Sequence, residues 1–206
     1  MLIGVDFDNT IVYYDELFHR LACERGLIPR NLALGKDRIR DYLRAGGRED
    51  DWTLLQGYVY GARVHEAPPF AGAVEFFRRC RQVGVPVRII SHKTREPYRG
   101  PAYDLHQRAR DWLAQQGFFE RPIGLLPEHV HFETTKQNKL ARIAESNCTH
   151  FIDDLPELLD EPTFPSGVER ILFDPHKQHA DHDRLTRMAA WRQINDALLG
   201  SAGVTR

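Results

Sequence analysis

Residues 2–10 read LIGVDFDNT, a short apolar run that leads into two aspartates and a threonine. A continuous apolar run of this length is typical of a strand that is buried on both faces of a parallel sheet. We therefore predict a strand over residues 2–7, with the side chains of Asp6, Asp8 and Thr10 at its carboxyl end. Whether similar apolar runs recur along the chain decides if this strand belongs to a larger parallel sheet.

Apolar runs recur, and stretches with helical spacing separate them. The spacing of apolar residues, with glycine after the last turn, predicts helices over 15–25, 72–83 and 103–116 and a closing amphipathic helix over 185–199. Such alternation is typical of an α/β protein with a mostly parallel, doubly wound sheet. The further predicted strands are 85–90, 130–132, 150–152 and 170–173.

Three of the predicted strands end in side chains that can bind a phosphate or a metal ion. In open parallel sheets, ligands bind beyond the carboxyl ends of the strands. We therefore expect these side chains to share one site. They are Asp6 and Asp8 after the first strand, Ser91 after the strand at 85–90, and Asp153 and Asp154 after the strand at 150–152.

The two pairs of aspartates suit different parts of phosphate chemistry. Asp6 and Asp8 are two residues apart, so their side chains point the same way along an extended chain. One of them could attack phosphorus, and the other could exchange protons with the leaving group and with water. Asp153 and Asp154 offer the hard oxygen ligands that Mg²⁺ requires. The structural alternatives are a solvated strand end for the first pair and a helix cap for the second.

A lysine is predicted at a helix N-terminus, where free N–H groups attract anions. Thr134 or Thr135 can cap a helix that runs through KLARIAES. Lys136 lies at the start of this helix and Lys139 lies one turn further in. The chain has only five lysines among its 28 basic residues, and three of the five fall near the proposed site. This bias indicates that the site requires a compact ammonium group.

In their order along the chain, these pieces resemble the motifs of the haloacid dehalogenase superfamily. The matching segments are DFDNT at 6–10, IIS ending in Ser91, Lys136, and FIDD at 151–154. The resemblance implies a Rossmann-like core, a Mg²⁺ cofactor, and phosphoryl transfer through a phospho-aspartate. Lys139 also fits the third motif roughly, but Lys136 is preferred because it precedes the apolar Leu140 by four residues.

The resemblance also implies roles for individual residues. Asp6 is the expected nucleophile and Asp8 the expected general acid/base. The expected Mg²⁺ ligands are Asp6, Asp8 (through its backbone carbonyl), Asp153 and Asp154. The residues expected to bind the phosphoryl group are Thr10, Ser91, His92 and Lys136. Because Asp8 is an acid, the resemblance favours a phosphatase over a dehalogenase.

The long interval between the first two motifs has room for an insert. We predict a small helical cap over 14–66 and a catalytic core formed by 1–13 and 67–206. In the superfamily such inserts select the substrate, and a small cap suggests a small phosphorylated metabolite: a sugar, polyol or nucleotide phosphate. A phosphotransferase or mutase, or a polynucleotide-end phosphatase, would use the same residues. A non-catalytic ligand-binding protein of the same fold is an alternative of a different class.

Charge and cysteine content restrict the partners. The formal net charge is −1, which disfavours nucleic acid as a partner. The three cysteines form no CxxC pair, which disfavours a structural zinc site or a disulfide framework. No segment approaches the roughly 18 apolar residues of a membrane span, and the N-terminus does not resemble a secretory leader. We therefore expect a cytoplasmic protein without a membrane anchor.

Overall fold

The computed structural model describes residues 1–180 and 182–200 and divides the chain into two compact units. The first unit consists of Met1–Ile11, Pro69–His92 and Gly117–Arg206. The second unit consists of Val12–Pro68 and Lys93–Gln116. The chain thus crosses from one unit to the other just after the DFDNT motif and again just after Ser91.

The first unit contains a six-stranded sheet in which every paired strand is parallel to its neighbour. The order across the sheet is β3-β2-β1-β4-β5-β6. This arrangement confirms the predicted α/β fold with a doubly wound, Rossmann-like sheet. The strands are β1 (Ile3–Val5), β2 (Val87–His92), β3 (Val130–Glu133), β4 (His150–Asp153), β5 (Glu169–Phe173) and β6 (Thr186–Met188).

The strand order defines where a ligand can bind. From β1 the chain builds outward through β2 and β3 on one side, and it then returns to add β4, β5 and β6 on the other. The order therefore reverses between β1 and β4, which are hydrogen-bonded neighbours. A crevice beyond the carboxyl ends of the strands forms at such a switch point. Asp6 and Asp153 lie at these two strand ends.

Helices cover both faces of the sheet. Alternate residues of a strand point to opposite sides, so each face presents apolar side chains that the helices bury. On β5, Leu172 belongs to an apolar cluster with Leu140 and Leu158, which lie on two of the helices. The adjacent Phe173 instead packs its ring 5.6 Å from that of Trp191 on the other face. The helices of this unit are α4 (Ala73–Gln82), α6 (Lys136–Glu145), α7 (Pro156–Leu159) and α8 (Trp191–Leu199).

The last predicted helix is wrong in its first turn. Residues 185–199 have apolar spacing that suits a single helix, but residues 186–188 form β6 and the helix begins only at Trp191. The edge of β5 explains the difference, since its backbone groups need hydrogen-bond partners. Strand β6 pairs with β5 in parallel, and just beyond this pairing the Asp174 N–H donates to the Met188 carbonyl at 2.9 Å.

The second unit is helical, and it includes the whole predicted insert of 14–66. It also includes residues 93–116, whose helix the sequence had assigned to the core. Gly57 and Gly61 explain this packing, because a Cβ at Gly57 would approach the Arg99 carbonyl to 2.8 Å and one at Gly61 would overlap the Tyr103 ring. The helices are α1 (Asp15–Glu24), α2 (Lys36–Ala45), α3 (Glu49–Tyr58) and α5 (Leu105–Gln115), with a π-helical turn (Val59–Arg63) and a 3-10 turn (Val64–Glu66).

Within the described residues, no helix combines the length and the apolar character that a membrane crossing requires.

Candidate active site

Asp6 is held at the carboxyl end of β1 by the sheet itself. Its backbone N–H donates to the Ile152 carbonyl at 2.9 Å, which continues the pairing of β1 with β4 for one residue beyond the strand. Asp153 ends β4 and is fully buried, and Asp6 is only 4% exposed. Two carboxylates are therefore fixed side by side at the switch point of the sheet.

A buried lysine joins the two carboxylates. The Lys139 ammonium nitrogen lies 2.6 Å from Asp6 Oδ1 and 2.6 Å from Asp153 Oδ2. Lys139 is 1% exposed, so the ion pairs are shielded from water. The second oxygen of Asp153, Oδ1, accepts the backbone N–H of Leu155 at 3.0 Å, which fixes the orientation of that carboxylate.

The electrostatic balance of this cluster is negative. Burial raises the pKa of the Asp6 carboxyl above its ordinary range; the Lys139 ammonium opposes this effect, and the charges of Asp153 and Asp8 add to it. Burial acts to lower the pKa of the Lys139 ammonium, but Asp153 and Asp6 outweigh it and the pKa is raised. Lys139 therefore stays charged, and one ammonium cannot neutralise all the neighbouring carboxylates.

Asp154 and Thr10 link β4 to the loop that follows β1. The Thr10 hydroxyl is fully buried and donates to Asp154 Oδ1 at 3.3 Å. The loop turns at Asn9, whose φ of 57° lies in the left-handed region that asparagine tolerates better than most residues. The Thr10 hydroxyl thus contacts a predicted metal ligand, and the predicted contact between Thr10 and phosphate stays a prediction.

Carboxylate oxygens of Asp6, Asp153 and Asp154 lie within 4.8 Å of one another. Three hard oxygen donors with excess negative charge suit Mg²⁺, which also keeps several water ligands. The side chain of Asp8 is outside this trio and is half-buried. The contact between a metal ion and the Asp8 backbone carbonyl, which the resemblance implies, stays a prediction.

Ser91 lies beside this cluster on β2, next to β1 in the sheet. Its side chain is 1% exposed, and its hydroxyl oxygen has no hydrogen-bond partner among the described residues. A buried hydroxyl without a partner is costly, so such a group needs an explanation. Hydrogen bonding to a phosphate oxygen at the carboxyl end of the strand would satisfy it, which agrees with the predicted role of Ser91.

Lys136 does not lie in the cluster, contrary to the preference derived from sequence. Its side chain is 38% exposed and pairs with Glu161. The physical reason is that helical side chains lean toward the N-terminus of the helix. Lys139, one turn into α6, therefore reaches back over the start of the helix to Asp6 and Asp153 at the strand ends. Lys136, the first residue of the helix, extends beyond the strand ends and contacts Glu161 instead.

The sequence contained a signal for Lys139 that spacing to Leu140 did not use. Lys139 and Ile143 are four residues apart and lie on one buried face of α6, which also includes Leu140. A lysine that falls on the buried face of a helix needs a counter-charge. The predicted cap is confirmed in its second form, since the Thr135 hydroxyl accepts the Asn138 N–H at 3.1 Å.

His92 ends β2 on the exposed side of the strand. Its Nε2 atom lies 3.2 Å from the Thr134 carbonyl, to which the ring can donate. This contact directs one ring nitrogen to the loop before α6. The predicted contact between His92 and a phosphoryl group stays a prediction.

Comparison with solved structures gives matches over nearly the whole chain. A haloacid dehalogenase-like hydrolase from Xanthomonas campestris is 14% identical, with a TM-score of 0.57 and coverage of 97% of this chain and 94% of the other. The hydrolase YfnB from Bacillus subtilis, solved bound to magnesium, is 14% identical, with a TM-score of 0.54 and coverage of 96% and 97%.

A third match is a hydrolase of the same superfamily from Deinococcus radiodurans, solved with bound phosphate and sodium. It is 16% identical, with a TM-score of 0.56 and coverage of 96% of this chain and 94% of the other. No protein-family model and no curated protein sequence matches the chain. Together with the six-stranded parallel sheet, these matches show that the protein has the fold of the haloacid dehalogenase-like hydrolases.

Proposed function

We propose that this protein is a Mg²⁺-dependent phosphatase that hydrolyses a small phosphorylated metabolite through a phospho-aspartate on Asp6. The observation that carries the proposal is the cluster of Asp6, Asp153 and Asp154 around a buried Lys139. It lies at the switch point of a parallel sheet, where ligands bind. The orphaned hydroxyl of Ser91 on the adjacent strand adds a donor for a phosphate oxygen.

The donor set supports the choice of metal. The cluster consists of carboxylates, without the thiolate or imidazole ligands that select softer metals. Mg²⁺ bound by these oxygens would polarise the phosphoryl group and offset its negative charge. Two of the structural neighbours add support by analogy, since one was solved with magnesium and another with phosphate and sodium.

The proposed reaction has two steps on the side chains of this protein. In the first, Asp6 attacks phosphorus, the bond to the leaving oxygen breaks, and Asp8 donates a proton to that oxygen. In the second, Asp8 takes a proton from water, whose oxygen attacks the phosphorus of the aspartyl-phosphate. The bond between phosphorus and the Asp6 oxygen breaks, which releases inorganic phosphate and restores the Asp6 carboxylate. Lys139 holds Asp6 in position and offsets its charge, and Ser91 orients the phosphoryl group.

We further propose that residues 14–66, which are mostly helical, act as the cap that selects a small substrate such as a sugar, polyol or nucleotide phosphate. A cytoplasmic location fits the three cysteines at 23, 80 and 148, all in the described residues and none in a disulfide. A screen of phosphate release over these three substrate classes would identify the substrate.

The direct test is Asp6→Asn, assayed for Mg²⁺-dependent release of phosphate from a generic aryl phosphate. We expect activity to fall to background, because the amide cannot act as the nucleophile. Asp37→Asn is the matched control, since Asp37 is on the surface and pairs with Arg40. Wild-type protein stopped during turnover should have a hydroxylamine-sensitive phosphate label, which the Asp6 variant lacks. Near wild-type turnover in that variant contradicts the proposal.

A further inference from the structure

Trp191 is fixed at the first turn of α8 by close packing. It is 1% exposed, and its ring lies 5.1 Å from that of Phe76 and 5.6 Å from that of Phe173. The backbone approaches closely as well, because a Cβ at Gly72 would lie 3.1 Å from the Cβ of Trp191. Gly72 has a φ of 90°, which a residue with a side chain rarely adopts. The indole ring therefore has a single, well-defined position.

In this position the indole N–H is aimed at the DFDNT loop. Nε1 of Trp191 donates to the backbone carbonyl of Thr10 at 3.1 Å, in a buried hydrogen bond. The hydroxyl of the same threonine donates to Asp154 Oδ1 at 3.3 Å. Two hydrogen bonds in series thus connect α8, through Thr10, with a carboxylate of the acidic cluster.

We infer that Trp191 is a positioning residue that sets the affinity of the acidic cluster for Mg²⁺. The inference rests on the proposed function, since it assumes that the cluster binds the metal. Partners that hydrogen-bond to metal ligands orient them, and their loss typically weakens metal binding. Without the indole N–H, the buried Thr10 carbonyl has lost its donor, and the loop shifts to reach another one. The Thr10 hydroxyl then moves away from Asp154.

The competing interpretation is that Trp191 only fills the core between α4 and β5. If Trp191 only fills space, any large apolar side chain could replace it. Trp191→Phe would then lower stability without changing the affinity for Mg²⁺. Trp112 provides the matched comparison. It is also fully buried, and its indole N–H donates to the Ala67 carbonyl at 2.8 Å, which is a bond within the second unit.

The experiment compares Trp191→Phe with Trp112→Phe by calorimetric titration of the purified full chain with MgCl₂. Both variants lose one buried indole hydrogen bond and some ring volume, so both should unfold at lower temperature than the wild type. We expect the Trp191 variant to bind Mg²⁺ roughly tenfold more weakly, and the Trp112 variant to bind as the wild type does. Equal Mg²⁺ affinity in both variants overturns the inference.

Two further arms guard against a folding defect and an indirect effect. If Trp191→Phe does not fold, benzothienylalanine at position 191 keeps the shape of the ring and lacks only the N–H donor. It should reproduce the weaker Mg²⁺ binding. Thr10→Val removes the second hydrogen bond, and adding Trp191→Phe to it should weaken binding little more if the two act in series. Fully additive losses overturn the inference.

The titration also separates this inference from the proposed function. If the wild-type protein binds Mg²⁺ and releases phosphate while Trp191→Phe binds the metal equally well, only the role of Trp191 fails. If the wild-type protein shows no Mg²⁺ binding, the proposed function and the role of Trp191 fail together.

Discussion

The ammonium nitrogen of Lys139 lies 2.6 Å from Asp6 Oδ1, and the two residues are separated by 133 positions in the sequence. The contact is buried on both sides, and the same nitrogen lies equally close to Asp153. Helix α6 thus supplies the positive charge that two strand ends need. Removal of this charge leaves two buried carboxylates without a counter-charge, so it should affect both stability and activity.

Lys139→Met is expected to lower the free energy of unfolding by about 3 kcal/mol, the usual cost of breaking a buried ion pair. Phosphatase activity should also be lost, because Asp6 is no longer held in its ionised form. Denaturant unfolding and phosphate release measure the two effects.

Lys136→Met is the matched comparison, since Lys136 pairs with Glu161 at a partly exposed position. It should cost at most about 1 kcal/mol, and it should reduce activity far less than Lys139→Met. The reverse order of the two variants in either assay would contradict the placement of Lys139 in the site.

Ser91 should show opposite effects on stability and activity. Its buried hydroxyl has no hydrogen-bond partner among the described residues, so Ser91→Ala removes no hydrogen bond of the folded state. We expect stability to be unchanged or slightly raised. We expect kcat/KM to fall about a hundredfold, as for loss of one donor to a charged reacting group. Thermal unfolding and steady-state kinetics test the two halves.

Ser146→Ala is the control for Ser91. Ser146 is similarly buried, but its hydroxyl accepts a hydrogen bond from Arg88 at 3.4 Å. This variant should lose roughly 1 kcal/mol of stability and keep its activity. If Ser91→Ala behaves as Ser146→Ala does, Ser91 is a structural residue and not a phosphate ligand.

Local sequence was sufficient for the parts of the site that strands supply. Asp6 and Asp153 each follow an apolar run, and the carboxyl ends of parallel strands meet at one edge of a sheet. Their proximity could therefore be predicted without knowledge of the strand order. The same reasoning predicted Ser91, which ends the neighbouring strand.

The remaining parts depend on tertiary packing. The choice between Lys139 and Lys136 depends on how far along its axis α6 sits relative to β1 and β4, which the spacing to Leu140 does not encode. The local signal was that Lys139 shares the buried face of α6 with Ile143. Strand β6 forms because the edge of β5 needs partners, and its three residues alone have no clear strand pattern. The lack of a side chain at Gly57 and Gly61 allows close packing with residues 97–103, a contact that depends on how distant segments meet.

The glycine at position 4 in strand β1 leaves no room for a side chain. A Cβ at Gly4 would lie 2.5 Å from a ring carbon of Phe151 and 3.0 Å from the sulfur of Cys148. Because β1 is held between β2 and β4, the strand cannot move away from the clash. Gly4→Ala should therefore cost about 1–3 kcal/mol, as overpacking of a core does.

Gly46→Ala is the control for Gly4. At this helix end the added Cβ would meet its nearest neighbour at 3.5 Å, and the backbone φ is −86°. It should be neutral or slightly stabilising. In addition, Phe151→Leu should recover part of the stability lost by Gly4→Ala, because it removes the ring atoms at the clash. Additive losses in the double variant would show that the Phe151 ring is not the cause.

The buried thiols should make the protein sensitive to alkali. Burial raises the pKa of the Cys80 thiol to about 12. In Cys148, burial raises the pKa to about 11, with Arg88 opposing the effect. The folded state thus favours the protonated thiol, so its contribution to stability is complete below the unfolded pKa near 9. This contribution is lost as the pH rises from there through the folded-state pKa, by at most about 1.4 kcal/mol per pH unit for each thiol.

Cys80→Ala should lower stability at neutral pH, because it leaves a small cavity in the core. Because the variant has no thiol to ionise at this position, its stability should fall less steeply between pH 9 and the raised pKa. Denaturant unfolding across this pH range measures how the free energy of unfolding changes with pH. Subtracting the wild-type values removes the contribution of the other groups that titrate in this range. Cys23→Ala, at a half-buried position on α1, controls for the loss of a thiol as such. If the slope for Cys80→Ala equals that of the wild type, burial of the Cys80 thiol is not a source of the alkaline sensitivity.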